Sequence, residues 1–213
     1  KAFSKFIPYA NLMNTFTVSE YNGVVPPYTF PIGIGKDQLG LFLTNPKVPK
    51  TQLIQGPFAL VYIADRSNPA GIHCRLCFLL FLEMICKLYH KQHRVFQVVV
   101  PPWIPELLSE SANFRSRFGS CVSTYFTNVW IVHPDTNKDM YFEGDGNTLI
   151  IRGDILPQPR HEFMSLIKSS VDDVLLTGDQ SITDAFSCCS SKKKIWYQIA
   201  PWKADFAESM AKE

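Results

Sequence analysis

Gly178, Gln180, Ser181 and Asp184 fall within one seven-residue stretch, directly after the apolar run 174–177. A glycine turn between a buried strand and a helix leaves the first-turn N–H groups without intrahelical partners and puts the positive end of the helix there. An anion is the natural occupant of such a corner, and in an α/β protein that anion is most often a phosphate. Amides at Gln180 and Ser181, with the Ser181 hydroxyl, are suited to a diphosphate. Asp184 lies one turn in. Its carboxylate is acceptor-only with two oxygens, which suits the paired hydroxyls of a ribose. Asp179 stands in the same turn, where its charge opposes a phosphate unless the side chain points away. Taken singly, Ser181 reads as a cap, Asp179 as a dipole-stabilising acid and Asp184 as a solvated helix residue. Their occurrence together after a buried strand favours a site.

The remaining reactive residue types carry less. Arg66 follows the first long apolar run and is the natural cation for a diphosphate, although Asp65 beside it is a ready partner. Lys203, near the end of the chain, is placed to meet a phosphate or sugar. His161 and His73 stand near helix starts, where a histidine is more often structural. Cys74 and Cys77 form a CxxC inside an apolar run, without a second CxxC or a His pair to complete a zinc set. Core packing is their expected role. Six cysteines in 213 residues are no disulfide scaffold, and a reducing, cytoplasmic compartment is expected. The formal net charge of +2 implies no nucleic-acid partner. Lys192, Lys193 and Lys194 read as a solvated turn. The longest apolar run, 76–86, contains Glu83 and is too short to span a membrane. The chain starts at Lys1 rather than Met, and a piece of a larger protein is expected.

The elements that must position these residues alternate. Runs 58–64, 95–100, 128–132, 148–152, 174–177 and 195–200 read as strands. Helical patterns follow at about 71–90, 105–117, 160–169, after Gly178, and at 201–212. The polar segment 133–147 reads as an excursion or loop. This alternation predicts an α/β fold, with a Rossmann-like, largely parallel sheet and helices on both faces. Ligands of such sheets bind outside the carboxyl ends of the strands. Residues 1–56, rich in Pro and Gly, read as a linker or as the tail of a preceding domain. Within them, 30–35 reads as a glycine-punctuated turn. The domain proper is expected over 57–213.

The pattern Ile150-Ile151-Arg152-Gly153, then Glu162 to Ile167, then Asp173 to Ala185, then Lys194 to Gln198 resembles the C-terminal, donor-binding half of GT-B glycosyltransferases. The likeness covers about 155 residues in architecture and about 40 in motif. The acid is Asp184 where Glu is usual, and Asp179 sits in the phosphate turn. The resemblance implies a UDP- or GDP-linked sugar bound for transfer to an acceptor, with no metal. It assigns Gly178, Gln180 and Ser181 to the diphosphate and Asp184 to the ribose. Main chain from Gly153 to Leu156, Ile155 included, would meet the base, and Arg66 and Lys203 would meet phosphate or sugar. It names no catalytic base in this chain. Two alternatives stand beside it: a non-catalytic protein-interaction module that retains the fold, using the 133–147 insert, or another phosphate-binding α/β enzyme. The absence of a GxxxxGK[ST] loop counts against a P-loop version.

Overall fold

The computed structural model describes residues 6–7, 14–17, 29–32, 41–42, 46–63, 71–189 and 192–198. The chain divides into two compact units. One comprises residues 48–177 and 189–198; the other comprises 1–47, 178–188 and 199–213.

In the second of these, β1 (Phe6–Ile7) pairs antiparallel with β4 (Leu41–Phe42), and β2 (Asn14–Thr17) pairs antiparallel with β3 (Thr29–Ile32). The turn expected at 30–35 is therefore strand as far as Ile32. Phe16 and Phe30 are register partners in that ladder. The same unit holds the helix α5 (Asp179–Cys188).

The other unit is built on a seven-stranded sheet. Its strands are β5 (Phe58–Tyr62), β6 (Val95–Val99), β7 (Asn128–Val132), β8 (Lys138–Phe142), β9 (Thr148–Arg152), β10 (Asp173–Leu176) and β11 (Lys194–Tyr197). All neighbouring pairs are parallel except β7 with β8. The expected α/β class with a largely parallel sheet is what forms. The segment 133–147 is a correction: it is no plain loop, because Lys138–Phe142 pairs antiparallel with β7 as an edge strand. The five residues after it return across the start of β7. There Asn128 bonds Gly144 in both directions, Nδ2 to its carbonyl at 2.5 Å and Oδ1 from its amide at 3.0 Å.

The sheet order is β11-β10-β5-β6-β9-β7-β8. Numbered in chain order, the parallel strands read 6-5-1-2-4-3, where the usual dinucleotide-binding sheet reads 6-5-4-1-2-3. The fourth strand, β9, has moved to lie between the second and third. The short β7-β8 hairpin explains this, because the chain comes back beside β7 instead of crossing the sheet.

One face of the sheet carries the main core. Ala59, Val61, Phe96, Val98, Leu149, Ile151, Val129 and Ile131 alternate onto it from β5, β6, β9 and β7. They pack against α1 (Gly71–Tyr89), α2 (Trp103–Glu110) and α3 (Ala112–Val122). Burying a Phe or Leu side chain here contributes about 1.5–3 kcal/mol, and Phe78, Phe96, Phe118 and Leu82 are fully buried. The single helix expected at 105–117 is two. Ser111 leaves helical geometry at φ −116° and caps α3 by accepting from the Phe114 amide at 3.3 Å.

On the opposite face, α4 (Arg160–Ser169) covers β5, and the rings of Tyr62 and Phe163 lie 4.7 Å apart. The segment 48–57 also belongs to this unit. Val48 and Ile54 are buried, and Val48 O accepts from Lys168 Nζ at 2.6 Å. Beyond β6 this second face opens. Val95 is 44% exposed and Met140 41%, because β7, β8 and β9 follow one another without an intervening helix. Lys193 departs from a solvated turn. Its Nζ donates to the carbonyls of Ser170 and Val171 at 2.7 and 2.9 Å, satisfying groups left over at the end of α4.

Candidate functional site

The strand order fixes where a ligand crevice belongs. From β5 the chain moves to β6 on one side; from β10 it moves to β11 on the other. Adjacent parallel strands whose connections diverge in this way form a topological switch point, and the crevice lies outside their carboxyl ends. In this sheet that place is beyond Tyr62 of β5 and Leu176 of β10, which pair in register.

β10 is short and fully buried, the type expected at the middle of a parallel sheet. Its extension is held by Thr177 Oγ1, which donates to Gln198 O at 3.4 Å, while Gln198 N donates to Leu176 O at 2.9 Å. The chain then turns at Gly178, whose φ of +81° is open to glycine and strained for other residues. An added Cβ there meets nothing within 4 Å, so the requirement is conformational, not steric.

α5 starts at once after the turn. Ser181 Oγ donates to Gly178 O at 2.9 Å, and the Ile182 amide donates to the same carbonyl at 3.4 Å. Gln180 is exposed and donates from Nε2 to Asp184 Oδ1 at 2.9 Å. Asp184 itself is 1% exposed. The two residues assigned to phosphate and ribose thus meet as an i, i+4 pair, and any ribose hydroxyl on Asp184 must compete with the Gln180 amide. The direction of the Asp179 side chain, together with Arg66, Lys203, the side chain of His73 and the helix expected at 201–212, lies outside the described residues.

Gly153 and Ile155 belong to the sheet unit, at the end of β9. Gly153 is buried and donates its amide to Val132 O at 2.9 Å. It sits so close to Pro105 that any Cβ would collide with the proline ring. Its backbone is therefore committed to packing β9 against α2. Ile155 is buried, and its carbonyl accepts from Gln158 Nε2 at 2.5 Å. β9 stands three strands from β10, so a ligand reaching both strand ends must span about 14 Å at the ordinary spacing of ~4.8 Å.

Sequence reasoning left two constellations unassigned. Arg152, at the end of β9, clamps Asp154 through Nε and Nη2, both at 2.8 Å, and donates from Nη1 to Gln97 Oε1 at 3.0 Å. Gln97 in turn donates to Gln55 O at 2.6 Å. The hydrogen bond to Asp154 raises the Arg152 pKa, so this guanidinium stays charged and pinned. The signal was the Arg-x-Asp spacing just past a strand. In the second, His133 Nε2 lies 2.9 Å from Asp139 Oδ2 in an open pocket shared with Glu106 and Asp135. Reading 133–147 as a loop hid it, because the pair forms only when β8 folds back on β7. His161 stands on an exposed helix start, 3.5 Å from Glu162. Cys74 is buried in the core, where its sulfur accepts from Gln198 Nε2.

No family model matches the chain, and neither a curated protein nor a solved structure does.

Proposed function

We propose that this chain binds a phosphate-bearing ligand at the first turn of α5, which the chain enters directly from β10. More narrowly, we read the ligand as a nucleoside-diphosphate sugar and the chain as the donor-binding portion of a GT-B-like glycosyltransferase. One observation carries the reading: the strand at the topological switch point leaves the sheet through a positive-φ glycine directly into a ten-residue helix. The amides of Gln180 and Ser181 take the diphosphate. Asp184 takes the ribose by exchanging its Gln180 partner for hydroxyls. Transfer then breaks the bond from the anomeric carbon to the diphosphate oxygen and forms one to an acceptor hydroxyl oxygen, whose proton passes to water or to a base outside this chain. Arg66, Lys203 and the helix end take up the charge on the leaving diphosphate.

Calorimetric titration with pyrophosphate, UDP, GDP and UDP-glucose tests both levels. Under the narrow reading a nucleotide binds, Asp184→Ala weakens it about tenfold, a loss of ~1.4 kcal/mol, and pyrophosphate affinity is unchanged. Binding of pyrophosphate without any nucleotide keeps the phosphate site and removes the sugar donor. Binding of none, or nucleotide binding indifferent to both Asp184→Ala and Arg66→Ala, removes the proposal.

The open sheet face around Val95, Trp130 and Ile150 favours a second reading, a protein-interaction module. In that case no nucleotide binds, and Ile150→Asp abolishes partner association without unfolding the chain.

A further inference from the structure

A groove of about 200 Å³ lies between α1 and α3. Its walls are apolar: Leu76 and Leu79 from α1 face Phe114 from α3. Leu76 remains 49% exposed, so the groove offers apolar surface to solvent. Arg75 and Arg117 stand on the two sides, and no carboxylate lines the groove between them. Neither arginine makes an ion pair among the described residues. The Nε of Arg75 is buried and has no acceptor. Leaving such a donor unmade is costly, more so for a charged group. Native structures rarely keep that cost without a reason. Ser111, at the rim, accepts from the Phe114 amide and keeps its own hydroxyl proton to donate.

We propose that this groove binds a small organic oxyanion, with its head on Arg75 and Arg117 and an apolar body against Leu76, Leu79 and Phe114. An oxyanion along the Nε–Nη edge of Arg75 supplies the missing acceptor in the bidentate geometry a guanidinium favours. The guanidinium must turn outward to present that edge. The size suits one ring or a branched chain, since a cavity of about 150 Å³ accepts benzene. Carboxylate and phosphate heads share the required chemistry.

The test is a titration of the ¹⁵N-labelled full chain with phenylacetate and, separately, with phenyl phosphate, followed through the arginine Nε–H resonances. Loss of one resonance in Arg75→Lys assigns Arg75. A saturable shift of that resonance with either probe, weakened at least fivefold in Arg117→Gln, is the expected result, and the tighter probe identifies the head group. The remaining resonances report whether each variant is folded. Should Arg75→Lys lose dispersion, the exposed Arg117→Gln alone still decides, through the affinity read from the backbone amides of Ser111 and Phe114. The proposal is overturned if neither probe gives a saturable shift, if Arg117→Gln leaves the affinity unchanged, or if benzyl alcohol reproduces the shift.

Discussion

Asp173 has a buried carboxylate that accepts from the Tyr89 hydroxyl at 2.7 Å and from Trp196 Nε1 at 2.9 Å. One residue thereby ties α1 and β11 to the start of β10, at the end of the sheet remote from the proposed ligand. Asp173→Ala strands two donors and is expected to cost about 3 kcal/mol in urea unfolding, with ligand binding at β10 retained. The Tyr89 hydroxyl carries a pH signature of the same contact. Burial first, and then the hydrogen bond and charge of Asp173, hold its pKa above the usual tyrosine range. A group whose pKa is raised on folding contributes stability that is complete below its unfolded value, about 10 for tyrosine, and is lost as pH rises through the folded value. Stability should fall as the pH climbs above about 10, and Tyr89→Phe should flatten that fall while lowering stability at pH 8. An equally steep alkaline loss in Tyr89→Phe would show that other groups govern it.

Among the elements, β10 and its turn were the most legible. An apolar run followed by glycine announces both a buried strand and a left-handed exit, and both are present, with Gly178 at φ +81°. Because the space around Gly178 is open, Gly178→Val should act through backbone strain alone, costing about 1–2 kcal/mol, and Gly178→Asn should cost less. Equal costs for the two in thermal unfolding would contradict this account. β8 was illegible for a physical reason. Lys138, Asp139 and Met140 are exposed at a sheet edge, so no apolar alternation marks them as strand. β9 shows the opposite case, a continuous apolar run in which only the structure tells the two faces apart. Ile151 is fully buried, whereas Ile150 lines the open face. Ile151→Asn should therefore cost more than about 3 kcal/mol, and Ile150→Asn less than about 1.

At the scale of the whole molecule, strand order decides which residues can share a ligand, and order was the part that chain-local patterns do not encode. Leu60 of β5 pairs with Val174, more than a hundred residues later, and no local propensity records that choice. The exit from β10 was readable and sits at the switch point. Gly153 and Ile155 were grouped with it through the family resemblance, and their strand β9 stands three strands from β10. Any ligand that binds the folded chain and not the unfolded one raises stability by RT ln(1 + [L]/Kd), about 2.7 kcal/mol at a hundredfold excess over Kd. For a chain near 200 residues this corresponds to a rise in Tm of about 5–10 °C. UDP or GDP at millimolar concentration should produce such a rise if its Kd is about ten micromolar. Raising the salt concentration should shrink it, because a diphosphate held by a helix end and cations is screened. Gly178→Val should lose most of the rise while Arg152→Lys, at the remote strand end, keeps it. A rise that survives Gly178→Val would move the phosphate away from β10, and with it the reading of this corner as the ligand site.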